Sequence, residues 1–182
     1  LSDEELSKEH LGLTDAFTDE LFQNQAAQVV YFPYSRLLVD VERFQSDDQE
    51  PMSKVGMGMI YTQTISGRPL RRSLSKLERT NLENLYDKHH LLLTRSVKDE
   101  LVHNEKSLIV DCHSFPSKPL TCDIDKSSSR PDICLGVDDF HTPGSLVITL
   151  KEAFKSLGLS VKINQPYAGT IVPLKWYAKE HR

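Results

Sequence analysis

The run Leu108-Ile109-Val110-Asp111-Cys112-His113-Ser114 holds the residues best suited to chemistry. Its three apolar residues, two of them β-branched, predict a buried strand, which Phe115-Pro116-Ser117 cannot continue. Side chains two apart on a strand share a face, so Asp111 and His113 are expected to leave the end of the sheet together. Ligand sites in open α/β sheets form at that edge. An imidazole there, with a carboxylate to orient it, is how a zinc ligand is commonly presented. The plainer alternative is a histidine that closes a strand and bonds to a loop. Cys112 should face the other way, into the core, and is not read as a nucleophile.

Other residues have suggestive types or spacing. Tyr86, His89 and His90 are three and four residues apart, so both imidazoles can share a helix face with the tyrosine. Arg36 and Arg43 flank Leu37-Leu38-Val39-Asp40. A guanidinium matches a carboxylate bidentately and never loses its charge, although salt bridges to Asp40 and Glu42 would explain the pair as well. Arg68, Arg71 and Arg72 form a basic cluster whose bland reading is a solvated face. Asn164 lies at a strand end before Pro166 and Gly169 and could hydrogen-bond a carboxylate; Gly169 serves the turn.

The elements that must position these residues are predicted as follows. Ser2 and Glu5 have the form of a capping box before a short helix over 4–10. A second helix is expected over 15–22, with Phe17, Leu21 and Phe22 on one apolar face. Residues 29–32 and 37–41 read as strands, and 44–54 as an exposed polar loop. A helical stripe runs through Leu77, Leu85, Leu92, Val97 and Leu101, long enough that a break near Thr94 is allowed for. Residues 116–130 form a loop. A strand follows over 133–137, then a helix over 145–157 stopped by Gly158, then a strand over 159–163. This alternation argues for an α/β fold with a mixed, largely parallel sheet and helices on both faces.

The chain has 182 residues, 38% hydrophobic and 26% charged, with a formal net charge of −4. That size suits one domain with a substantial core. Mild acidity argues against a nucleic-acid footprint, which needs a basic face. No apolar run approaches the roughly 20 residues needed to cross a bilayer. Three cysteines, an odd number, do not make a disulfide framework; Cys112 and Cys134 are expected in buried strands and Cys122 in a loop. A reducing cytoplasm is the expected setting. The partner expected is a small-molecule substrate, with no nucleic acid and no membrane, and homo-oligomerisation is left open.

Segments along nearly the whole chain resemble the N-formylglutamate amidohydrolase family. They are Thr14-Asp15, Tyr34-Ser35-Arg36 through Asp40-Val41-Glu42-Arg43, Gly58-Met59-Ile60-Tyr61, Gly67-Arg68-Pro69-Leu70, Tyr86 with His89-His90, Asp111-Cys112-His113-Ser114, Pro131-Asp132-Ile133-Cys134-Leu135-Gly136 and Asn164-Gln165-Pro166-Tyr167-Ala168-Gly169. Their order and spacing make the resemblance specific. It implies a three-layer fold similar to the zinc carboxypeptidases, here one domain over residues 1–182 expected to lack its first and last strands. It implies hydrolysis of an N-formyl amino acid such as N-formyl-L-glutamate, a step of histidine degradation, with zinc or another divalent metal.

The metal would be held by His113 and Asp15, with Asp111 behind His113, although Thr14-Asp15 also makes an ordinary helix start. His90 would bond the substrate or a transition-state oxygen, against the alternative of a packed or surface helix histidine. Arg36, Arg43 and Asn164 would take the substrate carboxylates. A further histidine ligand and a glutamate base are expected outside this chain. The alternatives are an amidase for another N-acyl amino acid or peptide, and a non-catalytic member that has lost its metal site.

Overall fold

The computed structural model describes residues 1–181. The fold is α/β, with helices and a small parallel sheet. Two compact units can be distinguished, one formed by Leu1–Asp99 with Cys112–Ser114, the other by Glu100–Asp111 with the residues from Phe115 onward.

The first unit opens with α1, Asp3–Gly12. Ser2 caps it as expected: its hydroxyl accepts the Glu5 N–H at 3.2 Å while the Glu5 carboxylate accepts the Ser2 N–H at 2.8 Å, so two orphan amides at the helix start are satisfied. The helix expected over 15–22 contracts to α2, Thr18–Leu21. Phe17 sits at φ 65, a left-handed conformation that interrupts the helix before it starts. Its expected apolar face is not buried, since Phe17 and Leu21 are 67% and 71% exposed.

Neither strand expected over 29–32 and 37–41 forms. Leu37, Val39, Asp40 and Val41 are buried, but their backbone is not laddered. The Leu37 and Leu38 carbonyls accept from the Arg71 guanidinium, and only the Asp40 N–H reaches across, to the Met59 carbonyl at 2.8 Å. A backbone acceptor taken by a side chain is lost to a neighbouring strand. The loop over 44–54 carries a 3-10 helix, Pro51–Val55. It also has a buried member: Glu50 accepts the N–H groups of Phe44 and Met52 at 3.0 and 2.9 Å.

A long helix, α3, spans Lys76–Asn104 without the break allowed for near Thr94, and belongs to the first unit as far as Asp99. Its Leu82 and Tyr86 join Val39, Val41, Met59 and Ile60 in the core, flanked by Phe32, Leu74 and Leu85.

In the second unit, Leu108 and Val110 are 69% and 63% exposed and form no strand, which corrects the buried strand expected there. An apolar, β-branched run encodes a local preference for extended backbone, whereas a strand needs a partner to pair with. That requirement is met by β1, Ile133–Leu135, and β2, Val161–Ile163, which pair in parallel with Cys134 opposite Lys162. Between them runs α4, Gly144–Ser156, as a parallel crossover demands. Asp132 and Ser160 lock the register just before the strands: the Ser160 N–H and hydroxyl both donate to Asp132 Oδ2, at 2.8 and 2.6 Å, and the Asp132 N–H donates back to Ser160 Oγ at 2.9 Å. Cys134 is partly exposed within β1, and Cys112 is also partly exposed. Among the described residues, no helix is long and apolar enough to cross a membrane.

Candidate functional site

Asp15 and His113, 98 residues apart in sequence, meet in the first unit. His113 Nδ1 lies 3.3 Å from Asp15 Oδ1, and the Ser114 N–H donates to the same oxygen at 3.1 Å. The carboxylate of Asp15 therefore does not cap α2. Its backbone carbonyl accepts the Thr18 hydroxyl at 2.9 Å instead, and the side chain is released towards the histidine.

On the other side of the ring, His113 Nε2 lies 3.6 Å from Glu42 Oε1. The outer oxygens of both carboxylates converge on one guanidinium nitrogen, with Arg36 Nη2 2.8 Å from Asp15 Oδ2 and 3.1 Å from Glu42 Oε2. These side chains are partly exposed: 38% for His113, 31% for Glu42 and 23% for both Asp15 and Arg36. Solvent and small ions can reach them.

Burial by itself would raise the Asp15 pKa and lower that of Arg36. The neighbours outweigh it in both. His113, Arg36 and the Ser114 amide bring Asp15 below the usual carboxylate range, while Asp40, Glu42, Tyr61 and Asp15 drive Arg36 upward. Both groups are held in their charged forms. The result is an imidazole bounded by two carboxylates, oxygen and nitrogen donors of the types that bind zinc; of these, Glu42 and His113 place ligand atoms within 4.8 Å of each other in a group that could hold a metal ion.

A buried network supports this group from below. Asp40, 1% exposed, accepts the Tyr61 hydroxyl at 2.7 Å through Oδ2 and the Glu42 N–H at 3.0 Å through Oδ1. Arg43 is drawn into the same network, with Nε 3.4 Å from Asp40 Oδ2 and Nη1 4.0 Å from Glu50 Oε1. Burial and the Asp40 charge raise the Tyr61 phenol and keep it a neutral donor. The two arginines of the Arg36–Arg43 segment are thus paired as their salt-bridge reading anticipates, with Asp15 and Glu50 added to the partners.

His90 Nε2 bonds the Val41 carbonyl at 2.8 Å, and its ring lies 4.2 Å from that of Tyr86, as a packed helix histidine would. Burial lowers its pKa, so the neutral ring donates to Val41. Asp111 is exposed and Asn164 is at φ 53, both in the second unit. The Asn164 N–H donates to the Leu135 carbonyl at 2.9 Å, and its Oδ1 accepts the Val137 N–H at 2.7 Å, which ties the end of β2 to that of β1.

The sequence points to Glu42 only as a salt-bridge partner. Its signal was the charge order Arg36…Asp40…Glu42-Arg43, in which two arginines need more carboxylates than one strand face supplies. Asp15 fills that gap from far away.

No curated protein and no solved structure matches the chain. The family model of N-formylglutamate amidohydrolase matches residues 2–182, essentially its whole length. With the segments from Thr14-Asp15 to Asn164–Gly169 in order along that span, the chain belongs to the N-formylglutamate amidohydrolase family.

Proposed function

We propose that this member hydrolyses an N-formyl or other N-acyl amino acid such as N-formyl-L-glutamate to formate and glutamate, using zinc or another divalent metal held by His113 and Asp15. The observation that carries the reading is the 3.3 Å between His113 Nδ1 and Asp15 Oδ1. A tetrahedral ion about 2.0–2.2 Å from each ligand holds two ligand atoms roughly 3.3–3.5 Å apart. The same distance is long for a hydrogen bond to a charged group. When bound, such an ion supplies Lewis-acid chemistry to an amide carbonyl that is otherwise a poor electrophile.

The chain's own residues would hold and orient the substrate. Arg36 or Arg43 would take a substrate carboxylate, sharing its guanidinium with the partners it already has, and both Arg36 pairs use the one nitrogen Nη2. The resemblance supports a three-layer fold like that of the zinc carboxypeptidases, into which β1, α4 and β2 fit as one parallel crossover. Three cysteines outside any disulfide suit a reducing cytoplasm, and N-formyl-L-glutamate as substrate would put the enzyme in histidine degradation.

One observation favours a second reading, a non-catalytic member: Arg36 is already paired with both carboxylates that flank His113. A formate-release assay separates the readings. With zinc supplied, release from N-formyl-L-glutamate is expected for wild type, with loss of metal and activity in His113→Ala. Turnover only of other N-acyl amino acids or peptides would replace the substrate. Turnover of none, with equal metal content in wild type and His113→Ala, would sink the proposal.

A further inference from the structure

We infer that Glu42 is the positioning residue of the His113 site, accepting the imidazole proton on Nε2 while Nδ1 is turned to Asp15. This rests on the reading that His113 and Asp15 share a divalent cation. A neutral imidazole has one protonated nitrogen and one lone pair, and the partner of one nitrogen decides the state of the other. The two sides of this ring differ. Nδ1 faces Asp15 Oδ1 at 3.3 Å, a separation that suits two ligands on one ion, whereas Nε2 faces Glu42 Oε1 at 3.6 Å. With the lone pair committed on Nδ1, the proton resides on Nε2 and points at the Glu42 carboxylate. At 3.6 Å this contact is longer than a hydrogen bond, of the kind that tightens when a site is loaded.

Glu42 is fixed from two directions. Its N–H donates to buried Asp40, and its outer oxygen is tied to Arg36 Nη2, which also holds the outer oxygen of Asp15. One guanidinium therefore sets the spacing of the two carboxylates, and their inner oxygens are left facing the ring from opposite edges. The carboxylate behind a metal-binding histidine fixes its tautomer and orientation, and its removal commonly costs 10–100-fold in metal affinity.

The test compares wild type, Glu42→Gln, Glu42→Asp and Asp15→Asn in the whole protein. Zinc affinity is read by competition with a chromophoric chelator, the ligand set by the absorption spectrum of the cobalt(II)-loaded protein, and the ring proton by the His113 Nε2–H resonance of the zinc-loaded form. Thermal melts confirm that each variant folds. Glu42→Gln should bind zinc about 10–100-fold more weakly, keep the wild-type cobalt spectrum and shift the Nε2–H resonance. Glu42→Asp, which keeps the charge, should recover part of the affinity. Asp15→Asn should change the cobalt spectrum. Unchanged zinc affinity and Nε2–H resonance in Glu42→Gln would overturn the inference alone. So would a cobalt spectrum altered by Glu42→Gln and not by Asp15→Asn, which would make Glu42 the ligand. Absence of zinc and cobalt binding in wild type would overturn the metal reading and this inference with it.

Discussion

His113 can be held at a partly exposed position because the charges around it are themselves anchored. Asp40 is the anchor: it is nearly inaccessible, and it takes the Tyr61 hydroxyl at 2.7 Å on one oxygen and the Glu42 amide on the other. Hydrogen bonds to charged groups contribute about 1.5–3 kcal/mol, more than neutral ones, and a buried carboxylate left short of donors costs further. Tyr61→Phe, which removes only the hydroxyl, should therefore lower the unfolding free energy by about 1.5–3 kcal/mol in urea titrations. A loss below about 0.5 kcal/mol would mean that the Arg43 Nε contact at 3.4 Å holds Asp40 without help. At this scale the sequence singles out His113, Asp15 and Arg36, and the structure brings the three together. It could not show that Asp15 and Glu42 take opposite sides of one ring, because that pairing closes over 98 residues on one side.

Elements whose signals are local were legible, and those that depend on a distant partner were not. The Ser2–Glu5 box, the stripe of α3 and the glycine after α4 each lie within a few residues of what they control, and α1, α3, α4, β1 and β2 all fall close to their predicted spans. Residues 37–41 and 108–110 have strand-like composition, but their pairing depends on segments elsewhere, and Arg71 takes two of the carbonyls that a neighbour would need. Gly158 is the clearest local signal, at φ +80 immediately beyond the Leu157 cap of α4. A Cβ there would meet nothing within 4 Å, so a substitution is opposed by backbone conformation alone. Gly158→Ala should cost about 1–2 kcal/mol, and Gly158→Asn less, because asparagine tolerates the left-handed region. Equal stability of the alanine variant and wild type by urea unfolding would show that the turn into β2 relaxes to another conformation.

For the molecule as a whole, acid stability gathers the site and the core into one measurable property. Burial holds the His90 pKa below its ordinary value of 6.5, outweighing the Val41 carbonyl and Asp87, which act the other way. The unfolded chain, with an ordinary histidine, takes up this proton first as pH falls. Stability rises with pH wherever the unfolded state binds more protons, so the contribution of neutral His90 is present above about pH 6.5 and lost as pH falls towards its lower folded value. Asp15 adds a second window. Its folded pKa is also depressed, from an ordinary 3.8, so its contribution is present above that value and lost as pH falls through the folded one. Both losses have the same sign and are separated by their ordinary values. Urea unfolding of wild type should therefore show stability falling between about pH 7 and pH 5, with a further fall below about pH 4. His90→Gln, which keeps a donor for the Val41 carbonyl but does not titrate, should flatten the first fall and leave the second. If the variant follows the wild-type curve between pH 7 and pH 5, His90 is not the group that takes up the proton, and the neutral ring bonded to Val41 is the wrong description of that helix face.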